Sequence, residues 1–211
     1  GMFLSYCVSV YLAYQVLNSY RKSKNEAEKL IEQLEISSIT DSLTSIYNRR
    51  YLTSCIHDEM RKSYKDGSDL VLCILDIDYF KKINDTYGHQ AGDYVLKEFA
   101  EILTHKIRAY DALRRYGGEE FLIIFHNTDK KDALKVLERT LDNLKDHSFN
   151  YGEGEINITF SCGIANSMEL DDDILSARAL IELADKRLYK AKKMGRNNIV
   201  VEDYIGDDAD E

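Results

Sequence analysis

Two adjacent glutamates, Glu119 and Glu120, lie between the glycine pair Gly117 and Gly118 and the apolar run 121–125. Glycine tolerates the positive φ angles of tight hairpin turns, so the pattern predicts two strands joined at this turn. Glutamates on a turn are more often solvated charges than functional groups. Here a buried strand begins directly after them, which favours a chemical role in metal binding or proton transfer.

A second acidic position ends the apolar run 69–77, a run that is typical of a buried strand. Asp76 and Asp78 alternate about Ile77, so both carboxylates face the same side of such a strand. Carboxylates at a strand end are suitable ligands for Mg²⁺. We interpret Asp78 as the cap of the following helix and Asp76 as the metal ligand. If the hairpin strand lies beside this strand, Asp76 and one of the two glutamates meet at one metal site.

Strands and helices alternate along the chain after residue 40, which predicts a sheet with helices on its faces. The predicted strands cover 69–77, 111–115, 121–126, 156–164 and 198–201, and the predicted helices cover 91–107, 129–146 and 173–193. The acidic end of the chain, residues 204–211, is predicted to be disordered.

The composition is that of a globular protein of 211 residues with a net charge of -9. This charge argues against non-specific nucleic-acid binding, and we expect no nucleic-acid partner. The four cysteines form no CxxC pair and the five histidines show no metal-ligand spacing. A reducing compartment is therefore expected, and a zinc site is not.

The first 39 residues have a different character from the rest of the chain. Residues 2–20 carry no charged side chain and precede the basic cluster 21–24. Because about 20 apolar residues span a bilayer, this stretch fits a membrane helix, and it fits equally an amphipathic helix packed on the domain or on a second copy. Residues 25–39 are predicted to be helical, as a short coiled coil or as a single packed helix. Gly1 before Met2 is typical of an expression-tag remnant and favours a fragment of a longer protein.

Four blocks of sequence carry a resemblance to a known family. They read DSLTSIYNRR at 41–50, DIDYFKKINDTYGHQAGD at 76–93, RRYGGEEF at 114–121 and ADKRLYKAKKMGRNNI at 184–199. In this order they resemble the GGDEF-domain diguanylate cyclases, which join two GTP molecules into cyclic di-GMP, over about three quarters of the chain. The signature here is GGEEF, a variant that also occurs in active members.

The resemblance implies an α+β fold, an α/β sandwich in which a central, mostly antiparallel five-stranded sheet is flanked by helices. This is the architecture of nucleotide cyclases and polymerase palm domains. It divides the chain into an N-terminal helical segment at 1–39, a cyclase domain at 40–203 and the acidic tail at 204–211.

The resemblance also assigns roles in metal binding and catalysis. Asp76, the backbone carbonyl of Ile77 and Glu119 match the positions that hold two divalent ions, Mg²⁺ or Mn²⁺, in each active site. These ions bridge the triphosphate and stabilise the pyrophosphate leaving group. Glu119 is the favoured proton acceptor, and Glu120 is the second candidate for metal binding or base catalysis.

Other matched positions are expected to bind GTP or the product. Asn84 and Asp93 match the pair that reads guanine in the family. A carboxylate suits this role, because it can accept from both the N1–H and the 2-amino group of guanine. The remaining GTP-binding positions are Phe80 and Lys81 through backbone N–H groups, Gly117 and Gly118 through their lack of side chains, and Lys192 and Arg196 through phosphate contacts. Arg108 and Asp111 match an RxxD site at which cyclic di-GMP inhibits the enzyme, and Arg139 matches a second arginine of that site.

The expected protein is a homodimer, because the product's two new bonds require two GTP-loaded domains that face each other. An upstream sensor or membrane domain is expected before this chain. The catalytic domain is expected in the cytoplasm, either free or attached to an inner-membrane anchor. Two alternatives are a non-catalytic receptor for GTP or cyclic di-GMP, and a cyclase that makes a mixed guanine–adenine product. Asp93 argues against the mixed product.

Overall fold

The computed structural model describes residues 14–15, 17–28, 30, 38–152, 154–170 and 176–202. The chain divides into two compact units, Gly1–Thr40 and Asp41–Glu211. In the first unit, residues 14–15, 17–28, 30 and 38–39 are helical. Most of the 2–20 stretch, much of the helix predicted at 25–39 and the tail at 204–211 lie outside the described residues. Within the described ranges, no helix is long and apolar enough to cross a membrane.

The second unit is built on a six-stranded sheet with the strand order β1-β3-β4-β2-β7-β8. Its strands are β1 (Tyr47–Asn48), β2 (Leu70–Ile77), β3 (Ala112–Gly117), β4 (Glu120–His126), β7 (Phe160–Asn166) and β8 (Ile199–Val200). The four inner strands are antiparallel, and the two-residue edge strands pair in parallel with β3 and β7. A separate hairpin joins β5 (Phe149–Tyr151) to β6 (Gly154–Ile156).

The predicted α+β architecture is confirmed, with one more strand in the sheet than the five expected. The extra strand, β1, has only two residues, which is too short to leave a pattern in the sequence. The strand predicted at 156–164 is divided, because β6 ends at Ile156 and β7 begins at Phe160. The hairpin predicted around the glycine pair is present as β3 and β4, but neither Gly117 nor Gly118 has the positive φ angle on which that prediction was based.

Five α-helices lie in the described part of the second unit. They are α1 (Arg49–Asp66), α2 (Phe80–Tyr87), α3 (His89–Lys106), α4 (Lys130–Lys145) and α5 (Ala177–Lys193). Side chains cap α4 and α5, since Asp129 accepts from the Asp132 N–H of α4 and Ser176 accepts from the Ala179 N–H of α5. Helix α1 was missed at the sequence level.

Strand β2 is the centre of the core, with all eight residues buried. Alternate side chains enter two different clusters, because successive residues of a strand face opposite sides. Val71, Cys73 and Leu75 pack with residues of α3 and α4, whereas Leu72 and Ile74 pack with residues of α1 and α5. Both faces are covered, which explains the unbroken apolar run in the sequence.

Strand β7 and helix α5 pack so closely that only glycine fits at position 163. A Cβ atom on Gly163 would lie 2.0 Å from the carbonyl oxygen of Ala184 and 2.3 Å from the backbone nitrogen of Leu188. Both atoms belong to the backbone of α5, so the helix itself would have to shift. The end of α5, which carries Lys192, depends on this packing.

We expect Gly163→Ala to lower the free energy of unfolding by roughly 1–3 kcal/mol, the range for overpacked core sites. Urea unfolding followed by circular dichroism measures this change. Gly118→Ala is the matched control, because a Cβ atom there meets nothing within 4 Å. Equal unfolding free energies for Gly163→Ala and the unaltered chain would contradict the packing argument.

Candidate functional site

The end of β2 and the start of β4 lie side by side. Asp76 is directly opposite Glu120 on β4 and Ser161 on β7. The N–H of Ile77 donates a 3.3 Å hydrogen bond to the carbonyl oxygen of Glu119, which fixes the hairpin turn beside the end of β2. The predicted neighbourhood of Asp76 and the two glutamates is therefore present.

The turn between β3 and β4 is held by Arg115. Its guanidinium donates to the carbonyl oxygen of Gly118 at 2.8 and 3.1 Å and to the carboxylate of Asp41 at 2.9 Å. Burial raises the pKa of Asp41, but hydrogen bonds from Arg115 and Thr44 outweigh burial and leave this pKa below its usual value. Asp41 is therefore a charged anchor for the arginine that shapes the turn.

The carboxylates at this edge of the sheet repel one another. Asp76 is 8% exposed, and burial raises its pKa, although the Lys192 ammonium lies 2.7 Å from its Oδ2 atom and acts in the opposite direction. Burial also raises the pKa of Glu120, and the neighbouring Asp76 charge adds to that effect. Gly117 contributes by its small size, because a Cβ atom there would lie 3.0 Å from Glu120 Oε2.

This arrangement fits a divalent ion that takes part of its coordination from a substrate. Among the residues that the structure describes, no three or more His, Cys, Asp or Glu side chains form a group able to hold a metal ion. Mg²⁺ is commonly bound by one or two carboxylates together with phosphate oxygens and water. Asp76, with Glu119 or Glu120 and the Ile77 carbonyl, supplies a donor set of that kind.

Asp78 does not cap α2, so this prediction is wrong. The N-cap of α2 is Tyr79, which has a φ of 56° and makes no side-chain capping bond. The Asp78 carboxylate instead accepts hydrogen bonds from Thr159 Oγ1 at 2.6 Å, Ser161 Oγ at 2.7 Å and the Asn197 N–H at 2.9 Å. The carboxylate binds these three donors, which are distant in the sequence, instead of the backbone N–H groups of α2.

The last turn of α5 and the residues after it reach the same edge of the sheet. Lys192 contacts Asp76, and the Arg196 guanidinium lies over the Tyr79 ring at 4.6 Å from its centroid. The two predicted phosphate-binding cations are thus near the end of β2. Tyr79 and Ser161 belong to this neighbourhood but were missed at the sequence level, because only the folded chain brings them to it.

Helices α2 and α3 meet where the guanine-reading pair was predicted. A Cβ atom on Gly92 would lie 1.9 Å from Asn84 Oδ1, so the missing side chain leaves room for Asn84. Asp93 is the next residue and is exposed. Phe80 is buried at the start of α2 and Lys81 is exposed beside it.

The residues of the predicted inhibitory site line one groove of about 400 Å³. Arg108, Asp111 and Arg139 all contribute to its wall. Asp111 accepts from the Arg108 N–H at 3.0 Å and from the His126 N–H at 3.3 Å, which fixes its carboxylate. Arg108 and Arg139 are exposed, so both guanidinium groups can meet a ligand.

The sequence of this chain is similar to those of a known protein family. The sequence model of the family described as "Diguanylate cyclase, GGDEF domain" matches residues 38–198, and the chain belongs to this family. It is 39% identical over 173 residues to the response regulator PleD of Caulobacter vibrioides and 37% identical over 172 residues to diguanylate cyclase A of Treponema denticola. These alignments cover 81% and 80% of this chain but only 37% and 46% of those relatives.

Solved structures of a GGDEF domain and of a diguanylate cyclase have a similar fold. The coiled coil and GGDEF domain of DgcB from Caulobacter crescentus, in complex with c-di-GMP, match with a TM-score of 0.81 and 28% identity, over 90% of this chain and 99% of that one. The diguanylate cyclase SiaD from Pseudomonas aeruginosa, in complex with its activator SiaC, matches with a TM-score of 0.74 and 32% identity, over 93% and 74% of the two chains.

We expect Glu120→Gln to stabilise the protein at neutral pH but not in acid. Because the folded-state pKa of Glu120 is raised above its ordinary value of 4.5, the wild-type chain loses stability relative to the variant as the pH rises from 4.5 through that raised pKa. Thermal unfolding should therefore give similar Tm values at pH ~4, where a protonated glutamate resembles glutamine, and a higher Tm for the variant at pH ~7.5.

Glu138→Gln on the exposed face of α4 serves as the control for that experiment. It should leave Tm unchanged at both pH values. A Tm difference between Glu120→Gln and the wild-type chain that does not depend on pH would contradict the assignment of a raised pKa to Glu120.

Proposed function

We propose that the chain is the catalytic part of a diguanylate cyclase, which condenses two GTP molecules into cyclic di-GMP and releases two pyrophosphates. The observation that carries the proposal is the meeting of Asp76 with Glu119 and Glu120 at the paired ends of β2 and β4. Membership of the GGDEF family and the named cyclases among the relatives support it.

Asp76, the Ile77 carbonyl and Glu119 would hold two Mg²⁺ or Mn²⁺ ions. When bound, the ions polarise the triphosphate and stabilise the pyrophosphate leaving group. Lys192 balances the Asp76 charge in their absence, and the same ammonium can turn to a phosphate oxygen when another cation neutralises Asp76. Lys192 and Asp76 are thus suited to form an ion pair with each other or to bind a phosphate and a metal ion, respectively.

The attacking 3'-hydroxyl must lose a proton to a base near the reacting phosphate. Glu119 is our first candidate, at the turn that borders the end of β2. Glu120 is the second, and its raised pKa makes its carboxylate a stronger proton acceptor than an ordinary glutamate. Each lies on the rigid hairpin, which keeps the base in place relative to the substrate.

The substrate would lie between the hairpin and the start of α2. The backbone N–H groups of Phe80 and Lys81 can face phosphate at the helix N-terminus, with Lys192 and Arg196 as the cationic contacts. The hairpin edge is open for this approach, because Gly117 and Gly118 present no side chains. Asn84 and the exposed Asp93 would read guanine at the junction of α2 and α3.

Activity would require a homodimer. Each domain holds one GTP, so the two phosphodiester bonds form only between facing domains. In this proposal residues 1–39 form a helical segment that sets the dimer geometry, residues 40–203 form the cyclase domain, and residues 204–211 are a tail. An upstream sensor or membrane domain would supply the input signal, and Arg108, Asp111 and Arg139 would bind cyclic di-GMP as an inhibitor.

We expect the purified chain to convert GTP into cyclic di-GMP and pyrophosphate in the presence of Mg²⁺, with the nucleotides resolved by ion-exchange chromatography. A parallel tube should contain a phosphodiesterase, so that inhibition by bound product cannot hide turnover. Glu119→Gln should lower the rate roughly 10²–10⁴-fold, the usual effect of removing a general base. Glu138→Gln should leave it unchanged.

If the unaltered chain forms no product in either tube, the assay is repeated with a leucine zipper fused to the N-terminus, which forces the chain to dimerise. Cyclic di-GMP from the fused chain supports the cyclase. No product even then, together with tight binding of GTP or cyclic di-GMP in calorimetry, would instead indicate a receptor.

We expect Arg108→Ala to relieve product inhibition. Loss of a guanidinium contact to a charged ligand should weaken cyclic di-GMP binding about 10–100-fold in calorimetry. Turnover without phosphodiesterase should then approach turnover with it. Arg61→Ala on the exposed face of α1 is the control. If Arg108→Ala and the wild-type chain are inhibited equally, the inhibitory site lies elsewhere.

A further inference from the structure

Asp78 is a buried carboxylate to which the proposed chemistry gives no role. It is 4% exposed, and its two oxygens accept from Thr159 Oγ1, Ser161 Oγ and the Asn197 N–H at 2.6–2.9 Å. The hydroxyl donors lie on or next to β7, and the amide lies in the turn after α5. A side chain two residues beyond Asp76 therefore joins three separate segments.

The turn that Asp78 holds has a strained backbone. Gly195, Arg196 and Asn197 all have positive φ angles, of 110°, 66° and 47°. Residues other than glycine adopt this conformation at a cost, and they keep it only where the surrounding structure enforces it. The hydrogen bond from the Asn197 N–H to Asp78 Oδ2 ties this turn to the end of β2, and the carbonyl oxygen of the next residue, Asn198, accepts from the Cys162 N–H of β7 at 2.9 Å.

The two cations of the site lie close to this turn. The Arg196 guanidinium rests on the Tyr79 ring, and Tyr79 is the residue after Asp78. Lys192, in the last turn of α5, reaches Asp76 at 2.7 Å. The position of Arg196 relative to β2 thus depends on how the 195–197 turn is attached, whereas the position of Lys192 follows from the packing of α5 on β7.

We propose that Asp78 is a positioning residue, which fastens the 195–197 turn to the end of β2 and so holds Arg196 beside the substrate phosphates. The role of Arg196 in phosphate binding rests on the proposed function, whereas the attachment of the turn does not. Asp78 touches neither substrate nor reacting atoms, and it acts through Arg196.

The donors around Asp78 allow a matched pair of variants. In Asp78→Asn, the amide oxygen can accept from Thr159 and Asn197 while the amide nitrogen donates to the Ser161 hydroxyl, so the attachment survives without the charge. In Asp78→Ala, all three donors lose their acceptor. Asp69→Ala is the control for general destabilisation, because Asp69 also ties its end of β2 to β7, through Asn166 at 2.6 Å, but at the opposite end of the strand.

The attachment is tested by amide hydrogen exchange, measured by NMR on the full chain. Asp78→Ala should speed exchange of the Asn197 amide about tenfold or more, the effect of losing a hydrogen bond to a charged acceptor. Asp78→Asn and Asp69→Ala should leave it within about threefold of the wild-type rate. The amide of Ile74, at the centre of β2, should stay protected in the Asp78 variants and so reports an intact fold.

The positioning role is tested by binding of 3'-deoxy-GTP with Mg²⁺, because this nucleotide lacks the attacking hydroxyl. Asp78→Ala and Arg196→Ala should each weaken binding about tenfold. Because the two residues act as one unit, the affinity of the double variant should lie within about twofold of the affinity of Arg196→Ala alone. Asp78→Asn and Asp69→Ala should bind like the wild-type chain.

Unchanged exchange at Asn197 in Asp78→Ala overturns the attachment. If Asp78→Ala speeds exchange of the Asn197 amide but leaves the nucleotide affinity unchanged, the positioning role is overturned. It is also overturned if the loss of affinity in the double variant equals the product of the losses in the two single variants. If the wild-type chain binds no nucleotide, the proposed function fails instead, and the exchange rates of the same samples still decide the attachment.

Discussion

The antiparallel pairing of β2 with β4 is the constraint on which the site depends, because it places Asp76 directly opposite Glu120. Placing the buried Asp76 beside the half-buried Glu120 costs free energy, because burial, together with repulsion from neighbouring carboxylates, raises the pKa of both groups. The fold offsets the cost with one ammonium, that of Lys192. An edge with surplus negative charge and few protein ligands is suited to a cation that arrives together with a phosphate.

The rest of the unit keeps this pairing rigid. Strand β2 has strand neighbours on both sides and helices on both faces, so its last residues are held by the whole core. The close contact of β7 with α5 at Gly163 sets the path of the helix whose last turn brings Lys192 to Asp76. Packing far from the chemistry thus determines the electrostatics of the site.

Local patterns predicted the elements that carry the site. The unbroken apolar run indicated β2 and placed Asp76 near its end, and the glycine pair indicated the hairpin. The partners of Asp78 could not be predicted, because they lie 81, 83 and 119 residues further along the chain and local capping rules favoured a helix. The contact of Lys192 with Asp76 likewise depends on a strand order that no local pattern contains.

Arg115 connects the first residue of the second unit to the glycine turn of the site. One guanidinium binds both the Asp41 carboxylate and the Gly118 carbonyl oxygen, so these two groups share a single rigid planar link. The bonds of Arg115 to both groups are charge-assisted or bidentate, so Asp41 and the glycine turn are held at a fixed separation. A displacement of Asp41 would therefore be transmitted to the Gly118 carbonyl oxygen through this one side chain.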